Sequence, residues 1–330
     1  MNKRPLGKNG PLVSSVGLGC WSFAGSYGPT NETESHATLA KALDLGVDFL
    51  DTANVYGGGV SEQVIGSFIK NNSNKFKIAT KGGIQRAPGS TERVFNNSSS
   101  YLRECLEKSL ENLKLEYVDL YYIHRRDTNL PIEDVMETLV AFKDEGKIGG
   151  IGFSEIAPSS LRRAQAVHPV AAVQSEYSLW TRGPELGMVQ TCEELSVTFV
   201  PFSPVGRGIF SQIAPDPDTF TKIDFRKNNP RFLEPNFSYN LEAVDKFRSF
   251  AADKGLSPAT LALAWILNRH GTHIPIPGTR SADHLSECAA AGSVILTEDD
   301  LIEIERLLPV GFAHGDRYSE AQLGGAERYC

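Results

Sequence analysis

The chain has 330 residues, 41% of them apolar and 22% charged, a balance that lets one or two globular units bury a real core. A formal net charge of −7 argues against nucleic acid as a main partner, since neutralising phosphates needs a basic surface. Five scattered cysteines without a Cys-x-x-Cys pair, no apolar leader segment and no apolar run of membrane-spanning length lead us to expect a cytoplasmic protein without membrane contact.

In chain order, a short hairpin turning at Gly-Lys-Asn-Gly (7–10) comes first. A strand over Ser15–Gly19 leads to a helix over Glu32–Leu45, and a strand over Phe49–Asp51 to a helix over Ser61–Lys70. The same beat continues with Lys77–Lys81 and Ser98–Leu113, Val118–His124 and Ile132–Glu145, and Gly150–Ser154 with a helix from Pro158. Ala172–Glu176 is followed by a helix over Pro184–Leu195, then by a seventh strand, Thr198–Ser203. A long segment, 206–240, rich in Pro, Asn, Asp and Phe, reads as a lid. Helices over Leu241–Lys254 and Pro258–Arg269 precede an eighth strand, Ile274–Pro277, and helices from Ala282 and over Glu298–Leu308; the tail 310–330 reads as loop. The strands are short and apolar, as strands buried on both faces must be, and Ser or Pro opens several helices. Eight strand–helix units predict a (β/α)₈ TIM barrel, an α/β fold, spanning 1–330 as one domain. A doubly wound open sheet ranks second, because the turn after the first strand, Gly17-Leu18-Gly19-Cys20-Trp21-Ser22, lacks the third glycine of the dinucleotide fingerprint.

In such a barrel the C-terminal ends of the strands form the reactive face. Asp51, Lys81 and His124 end three of the predicted strands, and Tyr56 follows in the loop after Asp51. No His-Glu-x-x-His, phosphate-loop or nucleophile-elbow motif is present, and the remaining histidines have no metal-like spacing, so no metal is expected. Glu155 and Glu176 make a weak pair for glycoside hydrolysis.

Taken together, Asp51-Thr52-Ala53 with Tyr56-Gly57, Thr80-Lys81, Ile123-His124 and the Ile-Pro-Gly-Thr-Arg run at 276–280 resemble the aldo-keto reductase superfamily, in its bacterial and fungal branches with a long seventh loop. The resemblance implies NADPH-dependent reduction of small aldehydes and ketones, with Asp51, Tyr56, Lys81 and His124 as the catalytic set and NADH as a weaker cofactor. Physical chemistry fits those roles. Hydride addition builds negative charge on the carbonyl oxygen, which needs a proton donor and fixed positive groups. A free phenol has a pKa of about 10, and a neighbouring ammonium lowers it. Tyr56 is then the acid, Lys81 tunes it, Asp51 holds Lys81, and His124 bonds the substrate oxygen.

The same resemblance implies cofactor contacts from Gly19 and Trp21, from Ser154, Glu155 and Gln174 at the nicotinamide carboxamide, and from Phe202 stacked on the nicotinamide. Ser203, Pro204, Val205, Gly206, Arg207 and Gly208 would wrap the pyrophosphate, with Arg207 as its cation. Gly278, Thr279 and Arg280 would take the adenosine 2′-phosphate, and His284, Glu287 and Cys288 would line the adenine side. Glu155 departs from the family's usual Asn and is expected to tilt the bound equilibrium toward NADP⁺. The substrate pocket is expected from Trp21, Phe23, Tyr27, Arg125 and Phe225. The alternative is a cofactor-sensing regulatory subunit with slow reductase activity.

Overall fold

The computed structural model describes residues 1–72, 75–86 and 93–328. The expected hairpin forms from β1 (Lys3–Pro5) and β2 (Leu12–Ser14), antiparallel with Lys3 opposite Ser14. Its Leu6 and Val13 are fully buried against Phe49, Leu120, Val200 and Ile274, so the hairpin plugs the lower end of the barrel with apolar side chains. Thr198 fastens it, accepting from the Gly7 amide at 2.7 Å and donating to the Pro5 carbonyl at 2.9 Å.

Seven parallel strands follow: β3 (Leu18–Gly19), β4 (Phe49–Asp51), β5 (Lys77–Gly82), then, after the small antiparallel pair β6 (Ile84–Arg86) and β7 (Arg93–Phe95), β8 (Val118–Ile123), β9 (Ile148–Ser154), β10 (Ala172–Glu176) and β11 (Thr198–Phe202). Their order is β11-β10-β9-β8-β5-β4-β3, the sequential order of a barrel with crossover helices. The helices are α1 (Glu32–Leu45), α2 (Val60–Asn71), α3 (Ser99–Leu113), α4 (Ile132–Asp144), α5 (Pro158–Val167), α6 (Met188–Leu195), α7 (Asn236–Asp253), α8 (Pro258–Arg269), α9 (Ala282–Ala290), α10 (Glu298–Leu307) and the short α11 (Glu320–Leu323).

The expected eighth strand is corrected to a run of isolated bridges. Segment 273–278 fills its place, with Ile274 and Ile276 donating to Phe199 and Pro201 at 3.0 Å each, while Gly17 and Gly19 donate to Pro275 and Pro277 at 2.9 and 3.0 Å. Pro275 and Pro277 have no amide hydrogen to return toward β3, so half of that ladder cannot form although the barrel closes. Gly19 sits at this seam. A Cβ there would lie 2.9 Å from the Ile276 carbonyl oxygen, so the seam needs glycine.

The seventh-loop region is more ordered than a bare lid. Between β11 and α7 it makes short 3₁₀ turns at Gly206–Gly208, Pro217–Thr219, Phe225–Asn228 and Pro230–Phe232. Phe210, Phe220, Phe232 and Phe237 are buried, and α7 begins at Asn236, one residue after the Glu234–Pro235 cis peptide and earlier than expected. The helix expected over Pro184–Leu195 divides into a 3₁₀ turn, Gly183–Leu186, and α6, separated by Gly187 at φ 159°. No described helix is long and apolar enough to cross a membrane.

His273, on the barrel-closing segment, is 1% exposed, and its Nδ1 lies 3.2 Å from the Ile266 carbonyl. Burial pulls its pKa down to about 4. The unfolded chain therefore binds a proton between about pH 6.5 and 4 that the folded chain refuses. Its contribution is complete above about pH 6.5 and falls by about 3 kcal/mol as the pH drops to 4. Urea unfolding at pH 7 and pH 4.5 is expected to show a smaller acid loss in His273→Gln than in the wild type; equal losses would remove His273 as a source.

Candidate active site

Asp51 is the last residue of β4, Lys81 lies near the end of β5, and His124 follows β8 directly. Register brings them to one level, since Asp51 pairs with Ala79 and Lys81 with Tyr122. Tyr56 enters on the tight turn after β4, where Gly57 and Gly58 adopt left-handed backbone, at φ 62° and 65°.

Lys81 is wholly buried and forms an ion pair with Asp51 Oδ1, itself 2% exposed. The ammonium also donates to the Thr52 carbonyl at 2.7 Å and to the Tyr56 hydroxyl at 3.3 Å. Three directed donations match the three hydrogens of an ammonium. Gln174 Nε2 donates to the other oxygen of Asp51 at 2.8 Å, so both carboxylate oxygens are held. The rings of Tyr56 and His124 meet edge to face at 5.8 Å, and Trp21 lies 5.9 Å from Tyr56 on another side.

Burial pulls the Lys81 ammonium down, but Asp51 and Tyr56 together outweigh it and hold its pKa above the ordinary lysine value. Burial pushes the Tyr56 phenol up, and Lys81 opposes this without cancelling it. The site thus keeps a protonated phenol against a fixed ammonium. That pair can give a proton to a new alkoxide and stabilise the phenolate left behind.

The other expected residues divide into two groups. One group makes no contact that rules out the expected role. Trp21 packs edge to face on Tyr27 and Phe225, at 5.2 and 5.6 Å. Ser154 Oγ accepts from Arg125 Nη1 at 3.0 Å, which leaves its own hydrogen free to donate. Phe202 is half-buried at the end of β11, and Ser203, Gly206, Arg207 and Gly208 after it all have positive φ. Gly278, exposed, and Thr279 and Arg280 precede α9, whose first turn Ser281 caps by accepting from the His284 amide at 3.3 Å. Arg280 Nη1 reaches the Tyr27 carbonyl at 3.3 Å. His284 is exposed and Glu287 half-buried on α9.

The other group is committed elsewhere, and four expectations are corrected. Arg207 does not offer a free cation: it donates to Glu176 Oε2 at 2.7 Å and to the Arg317 carbonyl at 2.8 Å. Glu155 accepts from the Glu176 amide at 2.8 Å and pairs with Arg317, so its charge is matched and its tilt toward NADP⁺ is not expected. Phe23 is 1% exposed within the core and so has almost no surface to offer a substrate. Cys288 packs with Val16, Leu263 and Ala291 in an apolar cluster, where burial pushes its thiol up to about 12.

The sequence reading missed the tail. Arg317, Tyr318 and Glu327 fold back over the strand ends: Glu327 accepts from the Ala157 amide at 2.8 Å and its own amide donates to the Glu155 carbonyl at 2.8 Å. Tyr318 stands edge to face on Phe225 at 5.9 Å. No local pattern marks these contacts. A separate open groove of about 1180 Å³ runs between Gly25–Glu32, α2, the end of α3 and Thr221–Ile223, and does not reach Tyr56. Among the described residues no group of His, Cys, Asp and Glu is placed to hold a metal.

The profile of the Aldo/keto reductase family matches residues 15–309. A probable aldo-keto reductase 1 of Glycine max is 39% identical over 315 residues, 95% of this chain and 90% of that protein. The aldo-keto reductase yakc [NADP(+)] of Schizosaccharomyces pombe is 38% identical over 311 residues, 93% and 92% of the two chains. The solved glycerol dehydrogenase AKR11B4 of Gluconobacter oxydans superposes with a TM-score of 0.84 at 28% identity, covering 93% of this chain and 94% of that one.

Proposed function

The chain belongs to the aldo/keto reductase family of oxidoreductases, and on that footing we propose that it reduces aldehydes and ketones to alcohols with NADPH, Tyr56 serving as the proton donor. The observation that carries this reading is the line from the buried Asp51–Lys81 pair to the half-buried Tyr56, with the ammonium donating at 3.3 Å to the phenol and His124 edge-on beside it. The fungal relative is named for NADP(+), which supports the choice of cofactor.

The residues at the mouth suit that cofactor. Ser154 has a hydroxyl hydrogen available for a carboxamide oxygen, and Phe202 offers a half-buried ring face for a planar ring. Glycines and left-handed backbone at 206–208 allow close approach of a pyrophosphate. The capped start of α9 with Arg280 beside it suits a phosphate, because a helix N-terminus and a guanidinium both favour an anion. When bound, NADPH supplies the hydride for the carbonyl carbon. Tyr56 transfers its proton to the carbonyl oxygen as negative charge builds there. Lys81 stabilises the phenolate that remains, and Asp51 with Gln174 keeps the ammonium in place. His124 orients the carbonyl oxygen by a hydrogen bond, and water returns a proton to Tyr56.

The direct test is steady-state oxidation of NADPH with a reactive aromatic aldehyde such as para-nitrobenzaldehyde. Turnover that depends on both reactants supports the reading; tight cofactor binding without turnover on a panel of aldehydes counts against it. Arg280→Ala is expected to raise the Michaelis constant for NADPH by about tenfold and to leave that for NADH little changed, since one charge-assisted phosphate contact is lost. Equal changes for both cofactors would take Arg280 out of this role.

A further inference from the structure

Arg125 follows His124 directly and is half-buried at the barrel mouth. Its Nη1 donates to the His124 carbonyl at 2.7 Å and to Ser154 Oγ at 3.0 Å. Those two bonds use both hydrogens of Nη1 and fix the plane of the guanidinium. Nε and Nη2 make no hydrogen bond among the described residues. Their outward hydrogens form the side-on edge that grips a carboxylate through two parallel bonds.

Arg125 also differs from its neighbours in charge balance. Arg126 pairs with Glu327, Arg207 with Glu176, Arg226 with Asp224, and Arg317 with both Glu155 and Glu176. Among the described residues no carboxylate pairs with Arg125. Its charge favours ionisation of the hydroxyls of both Tyr56 and Tyr318, so it lies near the proposed proton donor and near the tail. Trp21 and Phe225 link Tyr56 to Tyr318 ring to ring across the same region. A half-desolvated guanidinium held rigid and unmatched beside a reacting centre favours an anion brought by the substrate. One planar edge with one unmatched charge suits a monoanionic carboxylate better than a phosphate dianion.

We propose that Arg125 is a specificity residue that binds a carboxylate on the substrate, so that the preferred substrates are oxo acids, aldehydes or ketones bearing a carboxylate group. This rests on the reductase reading above. The test compares ortho-, meta- and para-carboxybenzaldehyde with their methyl esters in the NADPH-loaded protein, reading the acid-to-ester ratio of kcat/KM. At least one isomer is expected to favour the acid in the wild type. In Arg125→Met that ratio is expected to fall by about 10- to 100-fold, the range for one charged hydrogen-bonded contact. Arg125→Lys should recover part of it, having charge without the fork. A ratio unchanged within about twofold for all three isomers overturns the proposal. If the wild type reduces neither acids nor esters, the reductase reading fails. Equilibrium binding of the (hydroxymethyl)benzoates and their methyl esters to the NADPH complex then decides the proposal by itself. Loss of acid preference in Arg125→Met supports it, and equal preference in both proteins overturns it.

Discussion

Tyr56→Phe is expected to lower kcat/KM for aldehyde reduction by about a thousandfold while cofactor affinity stays within about twofold. The substitution removes one hydroxyl and keeps the ring that packs against Trp21 and His124. The loss therefore reports proton donation, since general acid catalysis contributes about 10²- to 10⁴-fold. Binding is followed by quenching of tryptophan fluorescence, turnover by oxidation of the reduced nicotinamide. The pH profile carries a second reading. Burial raises the Tyr56 phenol above its ordinary value, and Lys81 opposes this only in part. Reduction by the NADPH complex should hold level through neutral pH and decline only above the range in which a free phenol ionises. A decline near pH 8 would mean that Lys81 outweighs burial, and a variant with near-normal turnover would remove Tyr56 as the acid.

The second large effect concerns the buried pair. Lys81→Met is expected to cost about 3–5 kcal/mol of stability as well as nearly all activity, because Asp51 keeps its burial and loses its counter-charge. Gln174 remains on Asp51 Oδ2 and cannot replace that charge. The double variant Asp51→Leu with Lys81→Met removes both charges and is expected to recover much of the stability, though none of the activity. Urea unfolding of the two variants separates the roles. If Lys81→Met matches the wild type in stability, the pair is not the buried ion pair described here, whatever its effect on rate.

The parts legible in the sequence are those carried by local pattern. Short apolar runs bounded by polar caps located β4, β5, β8, β9, β10 and β11, because a strand covered on both faces leaves no other composition open. The same register placed Asp51, Lys81 and His124 at strand ends, and the structure sets them at one level. The eighth segment misled in one respect. Pro275 and Pro277 fit an apolar run but cannot donate to a ladder, so hydropathy located the segment and overstated its pairing. α7 starts five residues before the expected Leu241: Asn236-Phe237-Ser238-Tyr239 has little helical propensity, and burial of Phe237 holds the turn that propensity does not.

Charge partners are the least legible feature of the sequence. Arg207 and Glu155 sit in the stretches from which the family resemblance draws its cofactor contacts, yet each finds a partner far along the chain. Arg207 reaches Glu176 and Glu155 reaches Arg317, 162 residues away. Long-range ion pairs have no period and no spacing, so a single sequence cannot reveal which charges are already matched. The tail 310–330 read as loop for the same reason. Its role comes from where Arg317, Tyr318 and Glu327 land, whereas among the described residues of the tail the only helix is the four-residue α11; the cysteine at its end, Cys330, lies outside the described residues.

The central claim is hydride transfer from NADPH to a carbonyl, and isotope transfer tests it most directly. The protein is incubated with para-nitrobenzaldehyde and NADPH deuterated at the reactive nicotinamide carbon, and the product is examined by mass spectrometry. The account predicts para-nitrobenzyl alcohol carrying one deuterium on its carbinol carbon, formed in step with NADP⁺ and at a rate cut about a thousandfold by Tyr56→Phe. Tight NADPH binding with no deuterated alcohol from this or other reactive aldehydes would contradict it and favour a protein that senses the cofactor without using it.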